Sequence, residues 1–403
     1  MTAFFSRERF GLPQLYAGLL LLALAVQCFW VICNAPLGTG ETAQLQRGLA
    51  QWRNGWVTPG PESPLVALMA SVGIAVLGSL AQGLPDWALA LLVRFPFLVI
   101  MLLRGASLWY VTRRLYGNPG GYVALALYCF SPAIVVSGAF VNGSGPSAWG
   151  FFGGIFSAIA LSHTVYALGE SPAEQVLGFR QWRWRRVALL GVAFGIAVGG
   201  HFVAAIVILL AAIFMFYLAP GRRTACFAII VVACAIGLTI VLATYFFHLP
   251  EFAAEITNSL PPLHQDNGWA SRQLAPLALV LQRSPALLLL FLVAFITYWL
   301  WRRARYFGNT APLLVLAVLL LASPLAPQIA AFEQPFIVFA FVFIAGITAD
   351  LLETSRKKLV LNVLFTVLLL HVLWGLSRLP MGAKAHVQAV NSESQGLLQL
   401  SLA

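Results

Sequence analysis

Apolar stretches of about 18 or more residues recur along the whole of this chain, and a stretch of that length is what a helix needs to cross a bilayer. Inside hydrocarbon every backbone N–H and C=O must be satisfied within the protein, so such stretches cross as helices. Only 9% of the 403 residues are charged and 60% are hydrophobic, giving a mean hydropathy of +0.87. Those values exclude a soluble enzyme, a disordered chain and a disulfide scaffold. The expected fold class is all-α: a polytopic transmembrane helical bundle.

Charge supplies the sidedness. A net charge of +11 would suit nucleic acid, but basic residues also collect on cytoplasmic loops, and no nucleic-acid partner is expected. Sixteen of the 24 Lys and Arg fall in six clusters: Arg7/Arg9, Arg113/Arg114, Arg180/Arg183/Arg185/Arg186, Arg222/Arg223, Arg302/Arg303/Arg305 and Arg356/Lys357/Lys358. Keeping all six on one side requires an even number of crossings between neighbours. From the second cluster onward the apolar stretches pair accordingly: 120–140 with 146–168, 187–200 with 202–219, 225–247 with 284–301, and 310–325 with 334–350. A last span, 358–376, leaves the polar tail 377–403 outside.

Gly199-Gly200-His201 breaks the 187–219 stretch into halves of about 16 residues, each short of a core roughly 30 Å thick. The first stretch, 11–33, is too long for a signal-peptide core and reads as an uncleaved anchor. Residues 86–112 span, whereas 64–81 either span or lie along the surface. Trp52 and Trp56 beside Arg53 favour the flat arrangement. That gives about eleven spans, a cytoplasmic N-terminus and an outer C-terminus. Cys28, Cys33, Cys129, Cys226 and Cys234 all lie in apolar stretches without a CxxC, as buried hydrophobes do.

On this topology eight of the thirteen acids face outward, in loops 34–86 and 248–283 and beyond. Residues 41–54 form an amphipathic helix with Leu45, Leu49 and Trp52 on one face and Gln44, Arg47 and Gln51 away from it. Glu41 falls in its first turn, where the helix dipole favours a carboxylate. By itself it reads equally as a helix-start acid or a site acid. Arg94, at the outer end of its span, pairs with a phosphate or snorkels to lipid headgroups. Arg104 lies mid-span and must face the bundle interior. His264 and Asp266 form at most a weak metal pair. The Arg-Trp-rich run around 180–186 is a cytoplasmic anchor for anionic membrane lipids.

The order of these features resembles a known family. An outer acid opens an amphipathic helix (Glu41); Glu62-Ser63-Pro64-Leu65 starts an apolar segment; Arg94-Phe95-Pro96 opens a span. Then follow Arg113-Arg114-Leu115-Tyr116-Gly117, Ser131-Pro132 and the small-residue turn Asn142-Gly143-Ser144-Gly145-Pro146. This order is similar to that of the integral-membrane glycosyltransferases of the GT-C superfamily, above all the aminoarabinose transferases, protein O-mannosyltransferases and glycosyltransferases of rhizobial lipopolysaccharide. It is clearest over 11–250, with 251–376 the variable half of one transmembrane domain, 1–376.

The resemblance implies a flat 64–81 segment at the outer surface of a bacterial inner membrane. It implies transfer of a sugar from a polyprenyl-phosphate donor to a glycan, lipid or protein acceptor. Glu41 would be the catalytic base, or a ligand of a divalent cation such as Mg²⁺ or Mn²⁺. His201, Arg94, Ser144 and Asn142 would bind substrate or phosphate, with His201 protonated. Three positions depart from the family pattern. Gly40 stands before Glu41 where an Asp is usual, Ser144 or Asn142 stands for the second-turn Asp, and no Arg-Tyr pair occurs near Ala331-Phe332. No protein metal ligand is therefore assigned. The alternative is a catalytically degenerate relative that serves as a membrane subunit or lipid-binding partner.

Overall fold

The computed structural model describes residues 12–55, 63–78, 83–167, 184–259, 285–323, 330–354 and 357–401. Among them there are fourteen α-helices and no strand. They are α1 Leu12–Asn34, α2 Thr39–Asn54, α3 Pro64–Leu77, α4 Asp86–Cys129, α5 Pro132–Ala139, α6 Ser144–Ala167 and α7 Trp184–Gly200. After them come α8 Ile206–Leu218, α9 Arg223–Thr244, α10 Leu249–Ser259, α11 Pro285–Leu300, α12 Phe307–Ala322, α13 Ala330–Leu352 and α14 Lys357–Ser401. Six helices among the described residues are long and apolar enough to cross a membrane. The protein is a polytopic helical membrane bundle.

α4 folds back on itself. Gly117 takes φ 74°, ψ −174°, a backbone state open essentially to glycine alone, so the chain turns there and Pro119 starts the returning arm. The Tyr116 hydroxyl donates to the Gly308 carbonyl at 2.6 Å, which ties this turn to the start of α12.

Lipid tails are as apolar as leucine, so helices in a membrane associate through close packing and interhelical hydrogen bonds. α13 is the spine. Its apolar residues run round the whole circumference, and 83% of its spanning window is buried. Phe339 meets Phe151, Phe152 and Phe156 of α6, Phe341 meets Tyr128 of α4, and Phe343 meets Phe291 and Tyr298 of α11. α14 is the opposite case, with 11% of its window buried. It remains helical through the polar stretch after residue 376, as far as Ser401.

Polar side chains mend the returning arm of α4 where it breaks. The helix is interrupted at Phe130–Ser131, and Pro132, which has no N–H to donate, opens α5. Three other helices bond to carbonyls on either side of this break: His371 Nε2 reaches Leu127 O at 3.0 Å, Gln27 Nε2 reaches Cys129 O at 3.1 Å, and Gln334 Nε2 reaches Ala133 O at 3.2 Å. Arg104 faces this interior, as its mid-span position required. It donates to Tyr128 Oη and Gln334 Oε1, both at 2.9 Å.

The first-loop helix α3 lies along one end of the bundle. Ser63 at its start donates to Gly199 O at the end of α7, and Gly73 packs against Leu92, close to the start of α4. α3 therefore packs against both α7 and α4. Several of the clustered basic residues lie at the other end. Arg114, Arg186 and Tyr306 border one trough there, and Tyr217 near the end of α8 stacks on Phe307.

Candidate functional site

Glu41 sits in the first turn of α2, where its side chain folds back on the helix start. Oε2 accepts from the Gly38 N–H at 3.0 Å, so the carboxylate caps a donor that the helix leaves open. Arg94 of α4 approaches from the other side as a fork: Nε to Oε1 at 3.0 Å and Nη2 to Oε2 at 2.6 Å. The Val141 N–H adds a further bond to Oε1 at 2.9 Å. Both charged groups are buried.

Arg94 neither snorkels nor faces a free anion site. Besides Glu41 it donates to the carbonyls of Ala35 (2.7 Å), Pro36 (2.7 Å) and Ile32 (3.3 Å), and it lies 4.8 Å from the Phe140 ring centroid. The expected headgroup contact fails for a simple reason. A carboxylate and the frayed carbonyls at the end of α1 lie within reach and satisfy a guanidinium better than a lipid surface does.

Val141 leads directly into the second part of the site. Asn142 Oδ1 accepts from the Gly145 N–H at 3.0 Å and so caps α6, while Nδ2 donates to the carbonyls of Ser137 (2.8 Å) and Phe140 (2.9 Å). Ser144 Oγ lies 3.3 Å from His201 Nε2 in the turn between α7 and α8. This approach depends on Gly200, because a Cβ there would stand 2.7 Å from Gly143 O and 2.8 Å from Ser147 Cβ. Glu41, Arg94, Asn142, Ser144 and His201 therefore join one hydrogen-bonded junction through the turn at 140–145.

The protonated state expected of His201 is corrected. Loss of hydration in this turn pushes its imidazole down to about 4, so at neutral pH it is neutral. It exchanges a hydrogen bond with Ser144 but carries no charge toward a phosphate.

α2 also presents the reverse of its expected polar face. Glu41, Gln44, Arg47 and Gln51 are buried, whereas Trp52 is 47% exposed. Gln51 Nε2 donates to Thr244 O at 2.9 Å, and Arg47 lies 4.0 Å from Glu255 of α10. Leu45 packs against Val66 and Ala70 of α3. The helix is thus covered on both sides, and amphipathicity alone does not reveal which side faces lipid.

Ser147 and Tyr245 escape sequence reasoning because isolated polar residues near span ends are commonplace. Ser147 Oγ, Tyr245 Oη, and Oε1 of both Gln44 and Gln51 are buried at this end without a hydrogen-bond partner among the described residues. His264 and Asp266 lie outside the described residues, as do Arg180 and Arg183.

The described residues at this junction do not assemble the donor set of a divalent-cation site. Among the described residues no three His, Cys, Asp or Glu converge, and Glu41 already has a guanidinium as its counter-charge.

Solved structures share this architecture. The chain matches the Archaeoglobus fulgidus oligosaccharyltransferase in its apo form with a TM-score of 0.57 at 11% identity, over 92% of this chain and 56% of that one. It matches ArnT from Cupriavidus metallidurans bound to undecaprenyl phosphate with a TM-score of 0.56 at 15% identity, over 93% and 74%. The chain shares the fold of these solved structures. A third match, at TM-score 0.57 and 11% identity, is AglB from A. fulgidus in complex with an inhibitory peptide and a dolichol-phosphate. The chain spans just over half the length of these archaeal enzymes, 56% in each case. No protein-family model and no curated protein matches it. Within this fold, the junction around Glu41 lies at the end of the bundle that carries α2 and α3.

Proposed function

We propose that this protein is a membrane glycosyltransferase that moves a sugar from a polyprenyl-phosphate donor to an acceptor at the outer face of a bacterial inner membrane. The observation that carries this reading is the convergence, on a GT-C fold, of all five site residues at one end of the bundle. The topology that goes with it has eleven crossings: seven from the six long helices, because α4 makes two, plus α7, α8, α11 and α12. It has a cytoplasmic N-terminus and an outer C-terminus, with the basic loops inside.

In the reaction, Glu41 takes the proton of an acceptor hydroxyl. The acceptor oxygen attacks the anomeric carbon, and the bond from that carbon to the phosphate oxygen breaks. The electron pair leaves with the polyprenyl phosphate. Arg94 is the cation that meets the leaving phosphate, so it must first release Glu41. Donor binding and freeing of the base are then one event. Neutral His201, through Ser144, contributes a hydrogen bond. No step is assigned to a metal.

The closed Glu41–Arg94 pair specifically favours a second reading. A carboxylate that never leaves its guanidinium is a structural clamp, and the protein is then a subunit or lipid-binding partner of another membrane protein. Membrane glycolipids and glycans profiled by mass spectrometry in a strain expressing Glu41→Gln separate the two. A catalytic base predicts loss of one product by about 10²–10⁴-fold at equal folded protein in detergent. An unchanged profile leaves the clamp.

A further inference from the structure

At the basic end, far from the Glu41 junction, a trough of about 1370 Å³ opens between α4, α6, α7 and α12. That exceeds the roughly 300–1,000 Å³ of small-molecule sites. Its lining follows residues 103–115 of α4 and 152–164 of α6. Each stretch measures about 18 Å at about 1.5 Å per residue. One leaflet of hydrocarbon, half of a core about 30 Å thick, has nearly that depth.

The lining is graded along this length. Leu103, Phe152 and Phe156 lie at the deep end, and Arg114, His163 and Arg186 lie at the mouth. Arg186 is held in place, its Nη1 donating to Thr164 Oγ1 at 2.6 Å. Among the described residues no carboxylate lines the trough. Tyr110 and Leu189 on its walls are 60% and 61% exposed, so it opens sideways toward lipid.

We propose that this trough is a binding site for an anionic glycerophospholipid of the leaflet at the basic face. Its phosphate sits against Arg114 and Arg186, and an acyl chain lies along Phe152 and Phe156. Charge at one end and apolar depth at the other match a lipid with a charged head and a long tail. The site does not depend on the reading of the Glu41 junction, which occupies the opposite end of the molecule.

The test uses the full chain in nanodiscs of phosphatidylcholine mixed with either phosphatidylglycerol or phosphatidylethanolamine, with retained lipids read by native mass spectrometry. Wild type should retain phosphatidylglycerol in preference to phosphatidylethanolamine, and added salt should erase the preference. Arg114→Gln and Arg186→Gln should each lower retention about five-fold. Arg302→Gln with Arg303→Gln, on the same face outside the trough, should leave it unchanged. Ser157→Trp fills the trough and should lower retention with both arginines intact. Equal retention of the two lipids by wild type overturns the proposal without any variant. Preferential retention of added undecaprenyl phosphate also overturns it, in favour of an isoprenoid site.

Discussion

Arg94 and Arg104 show what a buried guanidinium demands. All five N–H groups of Arg94 are used: Nε and one Nη2 proton on Glu41, the other on Pro36, and both Nη1 protons on Ile32 and Ala35. Arg104 bonds to Tyr128 and Gln334 and keeps Nη1 without a hydrogen-bond partner among the described residues. Any phosphate that reaches Arg94 must displace an existing bond. His201 makes a second residue-scale prediction. Its imidazole is held down to about 4 from an ordinary 6.5, so between those values the unfolded chain binds more protons than the folded one. The contribution of this residue is complete above about 6.5 and is lost as pH falls through about 4. The melting temperature in detergent should therefore drop less on acidification in His201→Asn than in wild type. Equal drops would show that His201 is not depressed. Glu41 was visible in the sequence as an acid at a helix start. Its partner was not, because 53 residues separate them and an arginine at a span end fits lipid equally well.

At the scale of elements, long apolar periodicity makes the helices legible, and prolines and glycines mark their breaks. What periodicity omits is the partner that repairs a break. His371 looks like an isolated polar residue in a lipid-facing helix, yet it is fully buried against Leu127 O. His371→Leu should cost roughly 1–2 kcal/mol in SDS-induced unfolding, because it strands a carbonyl in hydrocarbon. Phe365→Leu on the same helix, 69% exposed, should change stability by less than about 0.5 kcal/mol. A comparable loss in both variants would assign the effect to general packing of α14. The buried polar face of α2 was hidden for a related reason: its covers, α9 and α10, come about two hundred residues later in the chain.

The whole molecule is polarised. One end carries the Glu41–Arg94 junction beside α2 and α3, and the other carries Arg114, Arg186 and the proposed lipid trough. Sidedness follows from this arrangement and can be read directly. A cysteine placed at exposed Gln46 should label from outside intact spheroplasts, and one at exposed Asn118 only after permeabilisation. Wild type supplies the background, since Cys28, Cys129 and Cys226 are buried and Cys33 and Cys234 half-buried. Reversed labelling would move the junction into the cytoplasm and remove the outer-face reaction. The break at Pro132 also sets a schedule for biogenesis. The three bonds that flank it form only when Gln27 of α1, Gln334 of α13 and His371 of α14 are all in place. The middle of the chain therefore stays unfinished in the bilayer until the ribosome has delivered the end of it, and a nascent chain stopped before α14 should be a substrate for membrane quality control.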